Sequence, residues 1–194
     1  MSQHRDIKTR SITFRLDPGV VDSLQREADH KEISLNVLIN QILRRYTKWD
    51  TFEPKIGMMP VPKIILSTCF NKAMSVANAV GMNQDDIDSH RDEILKDAAE
   101  IAFGLIKDSA LLMKRTYNLW TVLEILQEYM KVSEMKSDHT IEAGNTHVFM
   151  IQHDLGENWS LFTKVLLDLI FENLANTRPD VSITSNTIIA KVTV

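Results

Sequence analysis

The segment SITFRLDPGVV, residues 11–21, decides the fold of the N-terminal part of this 194-residue chain. Its first six residues alternate between polar and apolar side chains, and the apolar ones are Ile12, Phe14 and Leu16. A period of two with β-branched and aromatic residues predicts a strand with one apolar and one polar face. The next two residues predict a helix start, because Asp17 can accept hydrogen bonds from the first N–H groups and Pro18 suits the first helical position.

Two amphipathic helices are predicted behind this strand. The first runs to about Lys31, and the second starts behind Ser34, with apolar residues at helical spacing from Leu35 to Tyr46. A single strand leaves its backbone groups unpaired, and even a two-stranded ribbon needs helices packed on it. We therefore expect two chains to pair their strands antiparallel above four helices.

Residues 10–49 resemble the ribbon-helix-helix domain of the Arc, MetJ and CopG repressors. The resemblance lies in the strand with its polar residues outward, the Asp-Pro cap, the two amphipathic helices and the sequence ISLN at residues 33–36. That family reads the DNA major groove with strands. The resemblance implies a homodimer that binds double-stranded DNA and touches bases with Ser11, Thr13 and Arg15. Arg15 is the best candidate for specificity, because its fork can grip guanine O6 and N7.

The resemblance also implies contacts to DNA phosphates at the start of the second helix, where Ser34 and Asn36 match the family's position. Free N–H groups at a helix start attract anions on physical grounds alone. Arg10, in the basic end of the chain, is a further candidate for phosphate contact. The sequence departs from the family at residues 31–33, where the family usually has a glycine in the turn, and Glu32 would repel a nearby phosphate.

Charge is distributed unevenly along the chain. Residues 1–50 carry nine Lys and Arg against seven Asp and Glu, whereas residues 51–194 carry 13 against 19, which gives the net charge of −4. A basic end on an acidic body suits an anionic partner or an ordinary solvated tail. The polar start, the single cysteine and the lack of a long apolar run predict a cytoplasmic protein with no secretory signal, no disulfide and no membrane partner.

The prolines predict the domain organisation. Three of the five lie within residues 54–62, so no helix or central strand should run through this stretch. We expect a ribbon-helix-helix domain at 1–50, a linker at 51–62 and an α+β domain at 63–194 for dimerisation or sensing. The predicted elements of that domain are helices at 64–80, from 85 onward, at 119–131 and at 154–176, with hairpins at 140–153 and 181–194. Two hairpins around a helix predict a four-stranded antiparallel sheet with helices on one face.

The sequence also predicts the burial of particular side chains in this domain. The helix at 154–176 is apolar on most sides, so it should be buried between layers or in a dimer interface. The lone Cys69 is expected to be a small core residue. The nine methionines could line an adaptable apolar pocket or simply fill the core; examples are Met82, Met113, Met130 and Met150. On the helix that starts near 85, the expected inner positions are Ile87, Ile94, Ala98, Ile101 and Leu105.

Three histidines raise the possibility of a metal site, because some ribbon-helix-helix repressors carry a nickel-sensing domain. His147 and His153 lie on one strand, however, roughly 20 Å apart at about 3.3 Å per residue, and cannot share an ion. His139 and Cys69 do not complete the nickel-sensor pattern. No nucleophile motif or phosphate-binding glycine loop is present in the sequence. We therefore expect no metal, no cofactor and no catalytic residue.

These patterns favour a homodimeric, sequence-specific DNA-binding transcriptional regulator of the repressor-type ribbon-helix-helix class. One alternative is an antitoxin-like protein that binds DNA with this fold and a toxin with its tail. Another is an enzyme whose N-terminal part only dimerises. The sequence leaves open the operator, the direction of regulation and any effector of the C-terminal domain.

Overall fold

The computed structural model describes residues 10–79 and 83–193. The chain divides into two compact units, Met1–Tyr46 (unit 1) and Thr47–Val194 (unit 2). In the described part it has an α+β fold, with six α-helices and one four-stranded antiparallel sheet. The helices are α1 (Pro18–His30), α2 (Leu35–Arg45), α3 (Lys63–Ala79), α4 (Gln84–Lys114), α5 (Leu119–Val132) and α6 (Glu157–Ala175), and the strands are β1 (Lys136–Glu142), β2 (Thr146–Gln152), β3 (Asp180–Ile183) and β4 (Thr187–Thr193).

Unit 1 contains both predicted helices but not the predicted strand. Residues 10–17 have no regular secondary structure, and the first strand of the described residues is β1 in unit 2. The physical reason is that strand pairing needs a second row of backbone groups, and the described residues 10–46 of unit 1 contain no second strand that could supply it. The ribbon of the expected ribbon-helix-helix therefore is not formed within a single copy.

The segment after α2 is more ordered than its proline content suggested. A π-helical turn covers Tyr46–Asp50 and a 3-10 turn covers Glu53–Lys55. Trp49 is only 2% exposed, its Nε1 donates to Glu53 Oε1 at 2.6 Å, and its ring lies 6.1 Å from that of Tyr129. Trp49 therefore anchors this segment in the packing of unit 2.

The sheet of unit 2 has the order β1-β2-β4-β3, so β1 and β3 are its edges. Its two hairpins confirm the turns predicted at residues 143–145 and 185–186, and Gly144 and Asn145 supply the positive φ angles that the first turn needs. Alternate residues of the central strands are buried, which places the helices on one face of the sheet. Val80, Met82 and Val194, which the sequence predictions included, lie outside the described residues.

Helix α6 lies between the sheet and the other helices, as its mostly apolar sequence predicted. It contacts β3 and β4 and also α3, α4 and α5. Ile170 and Phe171 have no exposed surface, and Phe171 meets Phe149 of β2 with ring centroids 6.0 Å apart. The main core of unit 2 forms around this helix. No helix in the part of the chain that the structure describes has both the length and the apolar character to cross a bilayer.

Two of the side-chain expectations for unit 2 were wrong. On α4, Ile101 and Leu105 are 67% and 54% exposed, whereas the neighbouring stripe is buried or half-buried. That stripe consists of Leu95, Ala99, Ala102, Ile106, Ser109 and Ala110. Small side chains let α4 and α6 approach closely, so the helix turns its alanines and a serine inward and leaves two larger residues outside. Cys69 is exposed instead of being a core residue.

Candidate functional site

The candidate base-contacting residues lie in an exposed segment of unit 1. Ser11, Thr13 and Arg15 are exposed, and so is Arg10 at the start of the segment. The alternate apolar side chains are exposed as well: Ile12 by 68%, Phe14 by 58% and Leu16 by 48%. The DNA-reading candidates are therefore accessible, but no strand yet holds them on one common face.

The junction between this segment and α1 is fixed by the Asp-Pro pair. Asp17 has extended backbone angles, and its Oδ1 accepts the N–H of Gly19 at 2.8 Å. Pro18 occupies the first turn, where its missing N–H leaves no helical bond unmade. The N-cap that the sequence predicted is confirmed, and it sets where the extended segment meets the helix.

The start of α2 is an exposed helix N-terminus. Ser34 is its N-cap, and Ser34 Oγ accepts the N–H of Val37 at 3.3 Å. The first N–H groups of a helix have no partner within it, and the helix dipole adds partial positive charge there. Asn36 is exposed in this turn, and the first turn contains no acidic residue. This end of α2 can therefore accept an anion such as a phosphate.

The turn between the two helices takes the left-handed backbone that a glycine would favour, with Glu32 in that position at φ 54°. The N–H of Ile33 donates to Ala28 O at 3.0 Å, and the N–H of Glu32 donates to Asp29 O at 3.1 Å. These two bonds form a Schellman motif at the end of α1. The departure from the family pattern therefore strains one residue but does not prevent the turn.

Unit 1 buries few of its apolar side chains. Ala28 and Leu38 are the buried residues of α1 and α2. Val20, Val37 and Ile42 are 44–47% exposed. Domains of about this size are seldom stable with so small a core unless they oligomerise, bind a structural metal or contain disulfides. Together with the segment at 10–17, the helices present an apolar surface suited to burial.

Two of the three candidate histidines meet in unit 2. The β1–β2 register pairs His139 with Phe149 and Ile141 with His147, so His139 and His147 are diagonal neighbours. Their rings stack, and His139 Nε2 lies 2.9 Å from His147 Nδ1. The pKa of His139 is lowered, mainly by burial and secondly by His147. Distances along one strand could not reveal this pair, because the turn at 143–145 brings it together.

The pair does not form a larger ligand cluster. His147 is 5% exposed and lies against the rings of Phe149 and Trp120. In the described ranges 10–79 and 83–193, no three His, Cys, Asp or Glu side chains come close enough to hold a metal ion. Packing of aromatic rings explains the arrangement.

His153 contacts a serine, in a geometry unsuited to nucleophilic catalysis. His153 Nδ1 accepts the N–H of Leu155 at 3.1 Å, which leaves Nε2 as the protonated nitrogen, 2.9 Å from Ser160 Oγ. A general base would need a free lone pair on Nε2 to take the serine proton. Ser160 is also fully buried. Burial lowers the pKa of His153, while Asp154 opposes the shift, so this neutral histidine joins the end of β2 to the start of α6.

Comparison of the chain with protein-family models, with curated proteins and with solved structures gave no match.

Proposed function

We propose that the protein is a homodimeric, sequence-specific DNA-binding regulator that acts through a ribbon-helix-helix formed by two copies of unit 1. Residues 10–16 of two chains would pair as an antiparallel ribbon. The apolar face of the ribbon would cover the four helices, and its polar face would enter the major groove.

The observation that carries this proposal is the regular exposure of Ile12, Phe14 and Leu16 in a single chain. Three apolar side chains at a spacing of two all lie on one face of a strand once the segment is extended. Pairing with a second copy would satisfy the backbone of the segment and remove these side chains from water at the same time. Polar and apolar residues are not expected to alternate in this way in a segment that stays unstructured.

The polar face of the same ribbon supplies the reading groups. In the paired state Ser11, Thr13 and Arg15 project opposite to the apolar residues, so two chains would place six side chains in one groove. The Arg15 guanidinium can donate two hydrogen bonds to guanine, and the hydroxyls can donate or accept. The capped N-terminus of α2, with Ser34 and Asn36, would hold the flanking phosphate and thereby fix the register of the ribbon.

The folded state of unit 2 bears on the antitoxin alternative. A toxin-binding tail of that class is expected to be short and to order only on binding. Unit 2 instead has four α-helices and a sheet around one core. This architecture favours a regulator with a folded second domain over an antitoxin.

The proposal is tested by selecting bound duplexes from random DNA with the full chain and then comparing variants on the selected site. Arg15→Ala should weaken binding to that site by about 1–3 kcal/mol per lost guanine contact and relax the preference at one position of each half-site. Arg10→Ala should instead weaken all sequences similarly and reduce the salt slope by roughly one per lost phosphate contact. Arg178→Ala, at an exposed arginine of unit 2, is the control. Failure to select any sequence, or unchanged discrimination by Arg15→Ala, refutes the proposed reading role.

A further inference from the structure

Unit 2 contains an apolar cavity of about 220 Å³. Its walls come from the π-helical turn after α2, from the loop before α3, from α4, α5 and α6, and from β2. Aromatic rings form a large part of the lining, namely Trp49, Tyr129, Trp159 and Phe162. Two of these rings, Trp159 and Phe162, lie 5.0 Å apart on successive turns of α6.

The wall offers little to a polar ligand. Ser109 Oγ donates to Leu105 O at 2.7 Å, and Thr163 Oγ1 donates to Trp159 O at 2.8 Å. Trp49 Nε1 donates its hydrogen to Glu53 Oε1, so it is not free to bind a ligand. Among the described residues, the lining includes no Asp, Glu, Lys, Arg or His. A charged group inside the cavity would lose its hydration and meet no side chain of opposite charge in the lining, so the chemistry selects neutral, largely apolar ligands.

The cavity has a solvent-facing end and a deep end. Leu105 and Met58 are 54% and 40% exposed, whereas Ile125 and Met130 on the same lining are 2% and 5% exposed. Leu105 and Met58 thus mark a mouth through which a small molecule can enter. The outward position of Leu105, which the periodicity of α4 did not predict, is part of this opening.

We propose that this cavity is a binding site for a neutral aromatic molecule of about two fused rings. An apolar cavity of about 150 Å³ stays dry and binds benzene, so a cavity of 220 Å³ has room for a somewhat larger ring system. Tilted contacts from four surrounding aromatic side chains suit such a ligand, because ring pairs prefer edge-to-face or offset geometry. The site does not depend on DNA binding by unit 1 and is tested separately from it.

Indole is the probe for this proposal, and methionine methyl groups are the reporters. In the full chain labelled with ¹³C at the methionine methyls, indole should cause saturable shifts of Met58 and Met130, which line the cavity. Met150 is outside the lining and should not move. Isothermal titration of the same sample gives the dissociation constant.

Filling the cavity should abolish the response. Ala102→Phe adds a ring to the half-buried part of α4 that lines the cavity, and should weaken indole binding by about tenfold or more. Ile101→Phe adds the same ring at an exposed neighbour outside the lining and should bind as the parent does. If Ala102→Phe does not fold, Leu105→Trp decides instead, because it blocks the mouth from an exposed position.

Three results would overturn the proposal. The first is the absence of a saturable shift at Met58 and Met130. The second is unchanged indole binding by a folded variant with a filled cavity or a blocked mouth. The third is a shift of both methyls that follows protein concentration without indole, since a second copy would then cover the mouth.

Discussion

Phe14→Ala should weaken dimerisation strongly, because the proposed ribbon buries this ring in both chains. A phenylalanine carries about 150–250 Å² of surface, and Phe14 is 58% exposed in the single chain, so about 90–145 Å² per chain awaits burial. At about 25 cal/mol per Å², full burial stabilises the dimer by about 2–4 kcal/mol per chain. Because alanine keeps part of this surface, truncation should remove about 4 kcal/mol over two chains, which is roughly a thousandfold in the dimer dissociation constant.

Sedimentation equilibrium of the full chain over a range of concentrations measures this constant. Thr13→Ala is the matched control, because its side chain lies on the opposite face of the proposed ribbon and should leave the constant unchanged while weakening DNA binding. Equal dimer constants for Phe14→Ala and the parent, or equal losses from both variants, would refute the assignment of faces.

The remaining predictions concern one turn and one histidine. Glu32→Gly should raise the free energy of unfolding by about 0.5–1 kcal/mol. The left-handed backbone costs a residue with a Cβ about 1–2 kcal/mol, and glycine avoids this cost. The greater entropy of glycine in the unfolded chain offsets part of the stabilisation. Urea unfolding checks this, with Glu134→Gly as the matched change at φ 56° after α5; a loss of stability in both variants would contradict it. Stability should be full above pH 6.5 and fall as the pH drops below it, because burial lowers the folded-state pKa of His153 and the unfolded chain then binds the proton first. Urea midpoints between pH 7.5 and 5.5 should fall less steeply for His153→Asn, whose Oδ1 can still accept the N–H of Leu155; an unchanged slope would remove this role.

Local signals predicted most elements of unit 2. The turn residues at 143–145 predicted the first hairpin, and the apolar run of α6 predicted a helix buried between layers. In unit 1, the N-caps of α1 and α2 were predicted at Asp17 and Ser34. These features are predictable because the deciding interactions lie within a few residues of each other.

Features that depend on distant residues were not predictable. Two apolar stripes run along α4, and its contacts with neighbouring helices, above all α6, select the stripe with small side chains. The stacked pair of His139 and His147 follows from strand register, and the cavity joins side chains from six separate segments. The buried stripe of α4, the histidine pair and the cavity therefore cannot be recognised from the local sequence pattern.

The segment at 11–16 is a different case, because its proposed partner is a second copy of the chain. Its sequence alternates as a strand, yet the single copy leaves it without regular structure. Periodicity indicates which face a strand would bury, whereas strand formation also needs a hydrogen-bonded neighbour, and residues 10–46 contain no other strand. The base-contacting roles of Ser11, Thr13 and Arg15 therefore remain predictions that depend on the dimer.

The edges of the unit 2 sheet have a consequence for aggregation. The edge strand β1 carries Lys136, Asp138 and Glu142 with exposed side chains, and the other edge, β3, has only four residues. Charged and short edge strands resist the addition of foreign strands. In a crowded cell, this sheet would therefore seldom recruit unrelated chains into intermolecular strand pairs.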